Sequence, residues 1–304
     1  MTTLPSPGLK NWLLLATLGV VWGASFMGSK FALTGYPPLW VATFRICIGA
    51  VSLTALAYAL GRQLPNWNAP DGKRIWVHAL GMAIFTNAVP FTLLAWGQVY
   101  VTSGFAGITM AVVPLLVLPL AHFFVPGDRM GTRKVIGFAI GFVGTLVLIG
   151  LNAFQLSGAD WEPIAQLACV GAACCYAIGS IITRLCPPVS TMGFASAGLL
   201  LASAIMLPIA LFVEGVPSIA PMPAMLGVAF LGFFTTALAT IMLVTVINSA
   251  GPSFLSLVNY QVPLWAVVFG VVLLGETLPP QFIWALGLIL IGVAISQFKW
   301  RRKA

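Results

Sequence analysis

Charged residues are scarce in this chain. They make up 7% of its 304 residues, with 6 Asp and Glu against 14 Lys and Arg, whereas soluble domains carry about 25% charged residues. A chain with so few charges lacks the polar surface that a soluble globule needs. The scarcity therefore excludes the soluble class and indicates an integral membrane protein.

The alternation of apolar and polar residues that marks a membrane β-strand is also missing. The chain is 60% hydrophobic, and its apolar runs are continuous. Runs of about 17 to 25 apolar residues cross a bilayer as helices. Because backbone in lipid must satisfy its own hydrogen bonds, these runs predict transmembrane helices, and the fold class is predicted as all-α.

Prolines, glycines and charges divide the chain into apolar spans. None of the connections between them is long enough for a soluble domain. The ten predicted spans are 11–34, 38–60, 74–99, 104–124, 133–151, 163–184, 190–213, 222–247, 252–274 and 280–298.

The basic residues favour one orientation of these spans. With a cytoplasmic N-terminus, 12 of the 14 Lys and Arg fall in cytoplasmic segments, and the other two, Lys30 and Arg45, lie within spans. We therefore predict that both termini are cytoplasmic. Since the basic residues form short clusters at span ends, they suit membrane orientation rather than nucleic-acid binding, and no nucleic-acid partner is expected.

The second half of the chain repeats a pattern of the first half. The aligned positions, after a shift of one residue, are Pro114 with Pro263, Gly127–Asp128 with Gly275–Glu276, and Gly144 with Gly292. Each half, 11–151 and 163–298, then contains five spans. Because five is odd, the second copy is inverted in the membrane. We predict a five-plus-five inverted-topology repeat, with which transporters alternate access to a site at mid-depth.

Motifs of catalysis and metal binding are missing from the sequence. It contains neither HExxH nor GxSxG, and its five Cys have no metal-ligand spacing. We predict a transporter rather than an enzyme, with no cofactor and no metal, whose partners are a small molecule and the lipid bilayer. A membrane-embedded enzyme acting on lipid and a non-transporting scaffold are the distant alternatives. The oligomeric state is left open, a monomer included.

The segments "VVWGASFMGSKFAL" and "PLWVATFRICIGA", followed by the repeated Val-Pro and Gly-acid pattern, resemble the drug/metabolite transporter superfamily, EamA type. The resemblance covers 13–296 and is greatest to the YddG-like bacterial amino-acid exporters. It implies ten helices in a five-plus-five inverted repeat, a bacterial inner-membrane location and outward movement of small metabolites. It also implies that spans 1 to 4 and 6 to 9 surround the cavity. Trp22–Gly23 is matched loosely by Tyr176–Ala177, and Arg45 has no basic counterpart in the second half.

Two prolines at the centres of spans 4 and 9 are candidate hinges. Pro114 and Pro263 have no N–H, so the carbonyl groups four residues earlier, of Met110 and Asn259, lose their helical donor. In hydrocarbon these carbonyls must face protein, water or a ligand. We interpret both kinks, with the adjacent Tyr260, as parts of the substrate path. Packing alone is the alternative.

Polar and aromatic side chains within the spans supply further candidate cavity residues. On span 3, Asn87, Phe91 and Gln98 share one face, where two amides flanking an aromatic ring would hold a zwitterion. Hydrogen bonds to a neighbouring helix are the alternative. Other candidates, with helix packing as their alternative, are Trp22 and Ser25 on span 1 and Tyr176 and Ser180 on span 6.

Ionisable groups within spans are expensive and are usually functional. Arg45, about eight residues into span 2, would either attract a substrate carboxylate or snorkel to the outer surface. His78, near the inner end of span 3, is a candidate titrating group or a packing histidine. Since no Asp or Glu lies in the core of a span, a proton-coupled exporter of organic cations is disfavoured.

These features predict an exporter of neutral or aromatic amino acids that works by alternating access and is uncoupled or weakly coupled. A drug-like compound or another metabolite on the same fold is the alternative cargo. A phosphorylated metabolite would require several Lys or Arg in the core, where Arg45 alone qualifies. The sequence leaves open the exact substrate, the coupling ion and the direction of transport.

Overall fold

A computed structural model of the chain describes residues 7–101, 103–149, 161–274 and 281–297. Within these residues there are ten helices and no strand. A short helical turn, Pro252–Leu255, precedes the helix Val258–Leu274. Helices α1 to α5 are Leu9–Leu33, Pro38–Ala59, Gly72–Tyr100, Ser103–Phe124 and Thr132–Ile149, and helices α6 to α10 are Glu162–Leu185, Thr191–Glu214, Met222–Ala250, Val258–Leu274 and Phe282–Gln297.

Six of these helices, α1, α2, α3, α6, α7 and α8, are long and apolar enough to cross a membrane. They contain 22 to 29 residues each, and shorter apolar stretches lie at 109–124 and 283–296. Large apolar side chains also face outward, as at Phe212, which is 93% exposed, and Trp284, which is 77% exposed. An apolar exterior of this kind suits lipid. The prediction of an all-helical, multi-span membrane protein is confirmed.

Helices of the first half of the chain pack mainly against helices of the second half. Helix α1 lies against α8 and α9, α6 lies against α3 and α4, and α2 lies against α7 and α8. Helices α5 and α10 pack closely on each other. A Cβ atom on Gly292 would lie 2.6 Å from the carbonyl oxygen of Gly137, so these glycines set the close approach of α5 and α10.

Two carboxylates join the halves by capping helix starts across the chain. Glu214, at the end of α7, accepts hydrogen bonds from the backbone N–H groups of Leu39 (3.1 Å) and Trp40 (3.0 Å). Asp128, between α4 and α5, accepts one from Ser253 N–H (3.3 Å) and forms an ion pair with Lys134 (2.5 Å). A carboxylate at a helix N-terminus satisfies N–H groups that have no partner within the helix.

Irregularities within three helices were not predicted. Helix α3 contains a π-helical segment, Ala83–Ala88, and α8 contains another, Leu231–Leu238. The predicted span 252–274 is interrupted between the turn Pro252–Leu255 and α9. A π segment adds one residue to a turn without changing hydropathy, so the apolar pattern gives no sign of it. The Gly275–Glu276 pair of the sequence repeat lies outside the described residues.

Candidate functional site

A cavity lies between the two halves of the molecule. The space among its lining residues, together with the open solvent at its mouth, is about 1110 Å³. Its lining comes from α1, α2, α3, α4, α6, α8, α9 and the turn Pro252–Leu255. Within the described residues, α5, α7 and α10 contribute no lining side chain. The expectation that span 7 surrounds the cavity is therefore not met, since α7 packs on α2 and α3 instead.

The cavity brings together most of the side chains that the sequence singled out. Residues far apart in the chain meet here because the helices of the two halves face each other across this space. The predicted residues that line the cavity are Trp22, Ser25, Arg45, Asn87, Phe91, Gln98, Met110, Tyr176, Ser180 and Asn259.

Two predicted cavity residues lie elsewhere. Tyr260 is fully buried, and its hydroxyl donates a 2.7 Å hydrogen bond to the carbonyl of Phe138 on α5. Asn259 lies on the cavity, and the next residue on a helix points about 100° away from it. His78 lies in the second turn of α3, with Nδ1 2.8 Å from the carbonyl oxygen of Arg74, and does not line the cavity.

The two predicted hinge prolines lie inside helices, next to the cavity rather than on its surface. Pro114 lies within α4 and Pro263 within α9, and neither is a lining residue. The residues four positions earlier, Met110 and Asn259, do line the cavity. Each proline thus removes a helical donor from the carbonyl of a cavity residue.

Replacing Pro114 or Pro263 by alanine is expected to slow transport while leaving stability unchanged or raised. Alanine restores the N–H donor and straightens the helix, and interior proline costs about 3 kcal/mol relative to alanine. If the kinks flex during transport, flux should fall roughly tenfold, a barrier increase of about 1.4 kcal/mol. Flux in liposomes and the thermal midpoint of the purified variants measure the two effects.

Pro208 provides the matched control for this experiment. It also lies inside a helix, α7, which contributes no lining residue in the described part of the chain. Pro208→Ala should therefore leave flux per folded molecule unchanged. Normal flux in both Pro114→Ala and Pro263→Ala would contradict the hinge interpretation.

Arg45 is held in the cavity wall by neutral groups. Its Nη2 atom donates to Thr235 Oγ1 at 3.1 Å and its Nε atom donates to Thr236 Oγ1 at 3.2 Å. Its Cζ atom lies 3.7 Å from the centre of the Phe91 ring, in cation–π geometry. The side chain is 8% exposed and therefore does not snorkel to the outer surface. Within the described residues, no carboxylate pairs with it.

Aromatic rings form the apolar part of the wall beside Arg45. The rings of Phe91 and Tyr176 lie edge to face, with centroids 6.4 Å apart. Trp22 of α1 lines the same space. Aromatic surface of this kind binds apolar or aromatic groups, while a few polar groups fix their orientation.

The three amides of the cavity direct their N–H groups toward their own helices. Asn87 Nδ2 donates to Met82 O (3.2 Å). Gln98 and Asn259 likewise donate to the carbonyls of Leu94 and Ser256, at 3.2 and 3.1 Å. Such bonds leave the amide oxygens as acceptors. The cavity therefore combines one fixed cation with several neutral acceptors.

The polar lining residues that the sequence reasoning missed include three threonines. Thr86, Thr235 and Thr240 line the cavity. A hydroxyl on an apolar helix commonly bonds to its own backbone, so threonine alone gives little signal. The spacing between Thr86 and Thr235 does, however, equal that between Pro114 and Pro263. Extending the sequence repeat toward the N-terminus would have identified both threonines.

Comparison with known proteins gives similarity along nearly the whole chain. The model of the EamA-like transporter family matches residues 10–150 and again residues 163–298. An uncharacterized transporter of Archaeoglobus fulgidus is 26% identical over 288 residues, which are 94% of this chain and 98% of the relative. The uncharacterized inner membrane transporter YedA of Escherichia coli strain K12 is 28% identical over 286 residues, 92% and 88% of the two chains.

Two further matches concern function and fold. A protein of Streptantibioticus cattleyicolor named as a probable terminal-alkyne amino-acid exporter is 26% identical over 305 residues, covering 94% of this chain and 90% of the relative. A solved structure shares the fold with a TM-score of 0.77 at 22% identity, covering 94% of this chain and 96% of the other. With the family model matched in both halves, this multi-pass membrane protein belongs to the EamA-like transporter family.

Proposed function

We propose that this protein exports neutral amino acids, above all aromatic or hydrophobic ones, across the inner membrane of a bacterium. The observation that carries the proposal is the buried Arg45 guanidinium, which has no carboxylate partner in the described part of the chain. A buried cation normally has an anionic partner, so a carboxylate of the substrate would complete this group. One relative is named as a probable amino-acid exporter, which supports the same substrate class.

The substrate would bind between Arg45 and the aromatic wall. Its carboxylate would accept hydrogen bonds from the guanidinium, whose planar donors match a carboxylate in two-point geometry. Its side chain would lie against Phe91, Tyr176 and Trp22, which line the same cavity. A phosphorylated cargo would require further basic residues, and Arg45 is the only Lys or Arg among the described lining residues.

Alternating access would follow from two inverted halves of five helices each. The packing supports this arrangement. When each helix is replaced by its counterpart in the other half (α1 by α6, α2 by α7, and so on), pairs of helices that are in contact become other pairs that are in contact. The α1–α8 contact becomes α6–α3, α1–α9 becomes α6–α4, and α2–α8 becomes α7–α3. The two π segments lie in α3 and α8, which are equivalent in the same exchange.

Both termini would face the cytoplasm, as the distribution of basic residues indicates. The Asp128–Lys134 ion pair would then lie at the inner surface, and the Glu214 cap on α2 would lie at the outer surface.

Transport would run down the gradient of the substrate without strict proton coupling. The described lining of the cavity contains no Asp, Glu or His. Proton-coupled transporters commonly use such groups within the membrane as relays. A cavity with a permanently charged arginine and neutral amides offers no group that would titrate near neutral pH.

Purified protein in liposomes, screened for flux of the common amino acids with and without an imposed proton gradient, tests this proposal. We expect flux of phenylalanine and other large neutral amino acids that changes little when the gradient is removed. A strict requirement for the gradient would contradict the uncoupled mechanism. Flux of drug-like compounds or phosphorylated metabolites, with none for any amino acid, would contradict the substrate class.

A further inference from the structure

The Arg45 guanidinium is bonded along one of its edges. The planar group carries five N–H donors, arranged so that two neighbouring donors form a fork. One fork consists of Nε–H and one N–H of Nη2. Nε donates to Thr236 Oγ1 at 3.2 Å and Nη2 donates to Thr235 Oγ1 at 3.1 Å, so α8 accepts from both donors of this first fork. Thr235 gives its own hydroxyl proton to Leu231 O at 2.9 Å and therefore acts toward Arg45 as an acceptor.

The second fork of the guanidinium faces the cavity. It consists of Nη1 and the remaining N–H of Nη2. In the described part of the molecule Nη1 donates to no protein group, and it is not among the fully enclosed side-chain atoms that lack a partner. Nη1 is therefore still accessible, although Arg45 as a whole is buried. Since Arg45 lines the cavity, a ligand in the cavity can reach this fork.

Phe91 fixes the guanidinium from a second direction. Arg45 Cζ lies over the Phe91 ring, 3.7 Å from its centre, so no ligand approaches from that side. Phe91 in turn packs edge to face against Tyr176. With one edge bonded to α8 and one side against an aromatic ring, the guanidinium cannot turn without losing these contacts.

Two glycines bring α8 within reach of Arg45. A Cβ atom on Gly49 of α2 would lie 2.7 Å from Thr236 Cγ2. A Cβ atom on Gly232 of α8 would lie 2.4 Å from Ile48 Cβ. Because neither glycine carries a side chain, α2 and α8 approach closely here, and the threonine hydroxyls meet the arginine.

We propose that Thr235 and Thr236 are positioning residues, which hold the first fork of Arg45 so that the second fork is presented to the carboxylate of the substrate. The inference rests on the proposed amino-acid export and adds the edge of the guanidinium that the carboxylate binds. The two carboxylate oxygens would accept from Nη1 and Nη2 in two-point geometry. Without an acceptor for Nε–H, the guanidinium would turn toward another acceptor, because a buried donor without a partner is costly.

Thr236 offers the more selective test of the two threonines. It is 1% exposed and is not among the described lining residues, so its hydroxyl does not contact a ligand in the cavity. Thr236→Val removes the acceptor of Nε–H and keeps the shape of the side chain. The dissociation constant for L-phenylalanine, measured by calorimetry on the purified full-length protein, should rise about tenfold, as expected for one hydrogen bond to a charged group. Thr236→Ser keeps the hydroxyl and should bind L-phenylalanine as the wild type does.

A ligand without a carboxylate separates positioning from general damage to the cavity. L-phenylalaninol has the ring and the ammonium group of L-phenylalanine, with a hydroxymethyl group in place of the carboxylate. Its dissociation constant should be unchanged by Thr236→Val, because it has no carboxylate to match the second fork. The preference of the protein for L-phenylalanine over L-phenylalaninol should therefore fall about tenfold.

Thr43 provides the matched control. It lies two residues before Arg45 on α2, is fully buried, donates to Leu39 O at 2.8 Å and is not among the described lining residues. Thr43→Val should leave both dissociation constants unchanged. Normal L-phenylalanine binding by Thr236→Val, or equal weakening of both ligands, would overturn the positioning role and leave the proposed export intact. Failure of the wild type to bind L-phenylalanine or any other common amino acid would overturn both proposals.

Discussion

Replacing Arg45 by methionine is expected to reduce amino-acid flux by at least about 30-fold. Removing one partner of a buried, hydrogen-bonded charge pair costs roughly 2 to 5 kcal/mol, and each 1.4 kcal/mol is about a factor of ten in affinity. Methionine keeps an unbranched apolar stem but removes the guanidinium, and with it both the contact with Phe91 and the donors to the proposed substrate carboxylate. Flux of L-phenylalanine in liposomes measures the effect, normalised to protein that elutes as a single species.

Two further variants separate recognition from folding in this experiment. Arg45→Lys keeps the charge but loses the planar donors that reach both Thr235 and Thr236, so we expect an intermediate loss of roughly tenfold. Arg62→Met removes an exposed positive charge outside the helices and should transport normally. Retention of more than half of the wild-type flux by well-folded Arg45→Met would overturn the role of Arg45.

Replacing Gly292 by leucine is expected to have the largest effect on stability. A Cβ atom there would lie 2.6 Å from both the carbonyl oxygen of Gly137 and the backbone nitrogen of Gly141. Because both obstacles are backbone atoms, α5 and α10 would have to separate. Overpacking of this kind costs about 3 kcal/mol, which lowers the thermal midpoint by roughly 10 °C. Thermal unfolding of the purified protein in detergent provides the measurement.

Gly287 on the same helix is the matched control. A Cβ atom at this position meets no atom within 4 Å, so Gly287→Leu should fold as well as the wild type. Since glycine is a poor helix former, this variant could gain about 1 kcal/mol of stability. An equal loss of stability in both variants would show that α10 tolerates no larger side chain, and the close approach at Gly137 would not be the cause.

The hydrophobic pattern predicted the helices because lipid imposes a simple rule on the backbone. A continuous apolar run in lipid must be helical, and proline or glycine beside a charge or a second proline commonly marks its end, so Pro38 and Gly215 gave two bounds to within one or two residues. Arg45 was also identified from sequence, because an isolated charge in an apolar run is conspicuous. Whether it snorkels or faces a cavity depends on which helices surround it, and only the packing answers that question.

The missed features depend on backbone register rather than on composition. Residues 83–88 read as an ordinary apolar helix, yet the π segment rotates Asn87 so that it takes the carbonyl that Thr86 would otherwise use. Tyr260 illustrates the same limit, since it is adjacent to Asn259 in sequence but points about 100° away from it, against Phe138. A change of one residue in register decides whether a side chain faces the cavity.

The carboxylate of Glu214 also bears on whether the first five helices are self-sufficient. On their own, they would leave the N–H groups of Leu39 and Trp40 without this acceptor, at the half-buried start of α2. The first half therefore depends on the second half for the acceptor at the start of α2. Because the first and second halves are parts of one polypeptide, their stoichiometry is fixed at one to one, whatever the rate of synthesis.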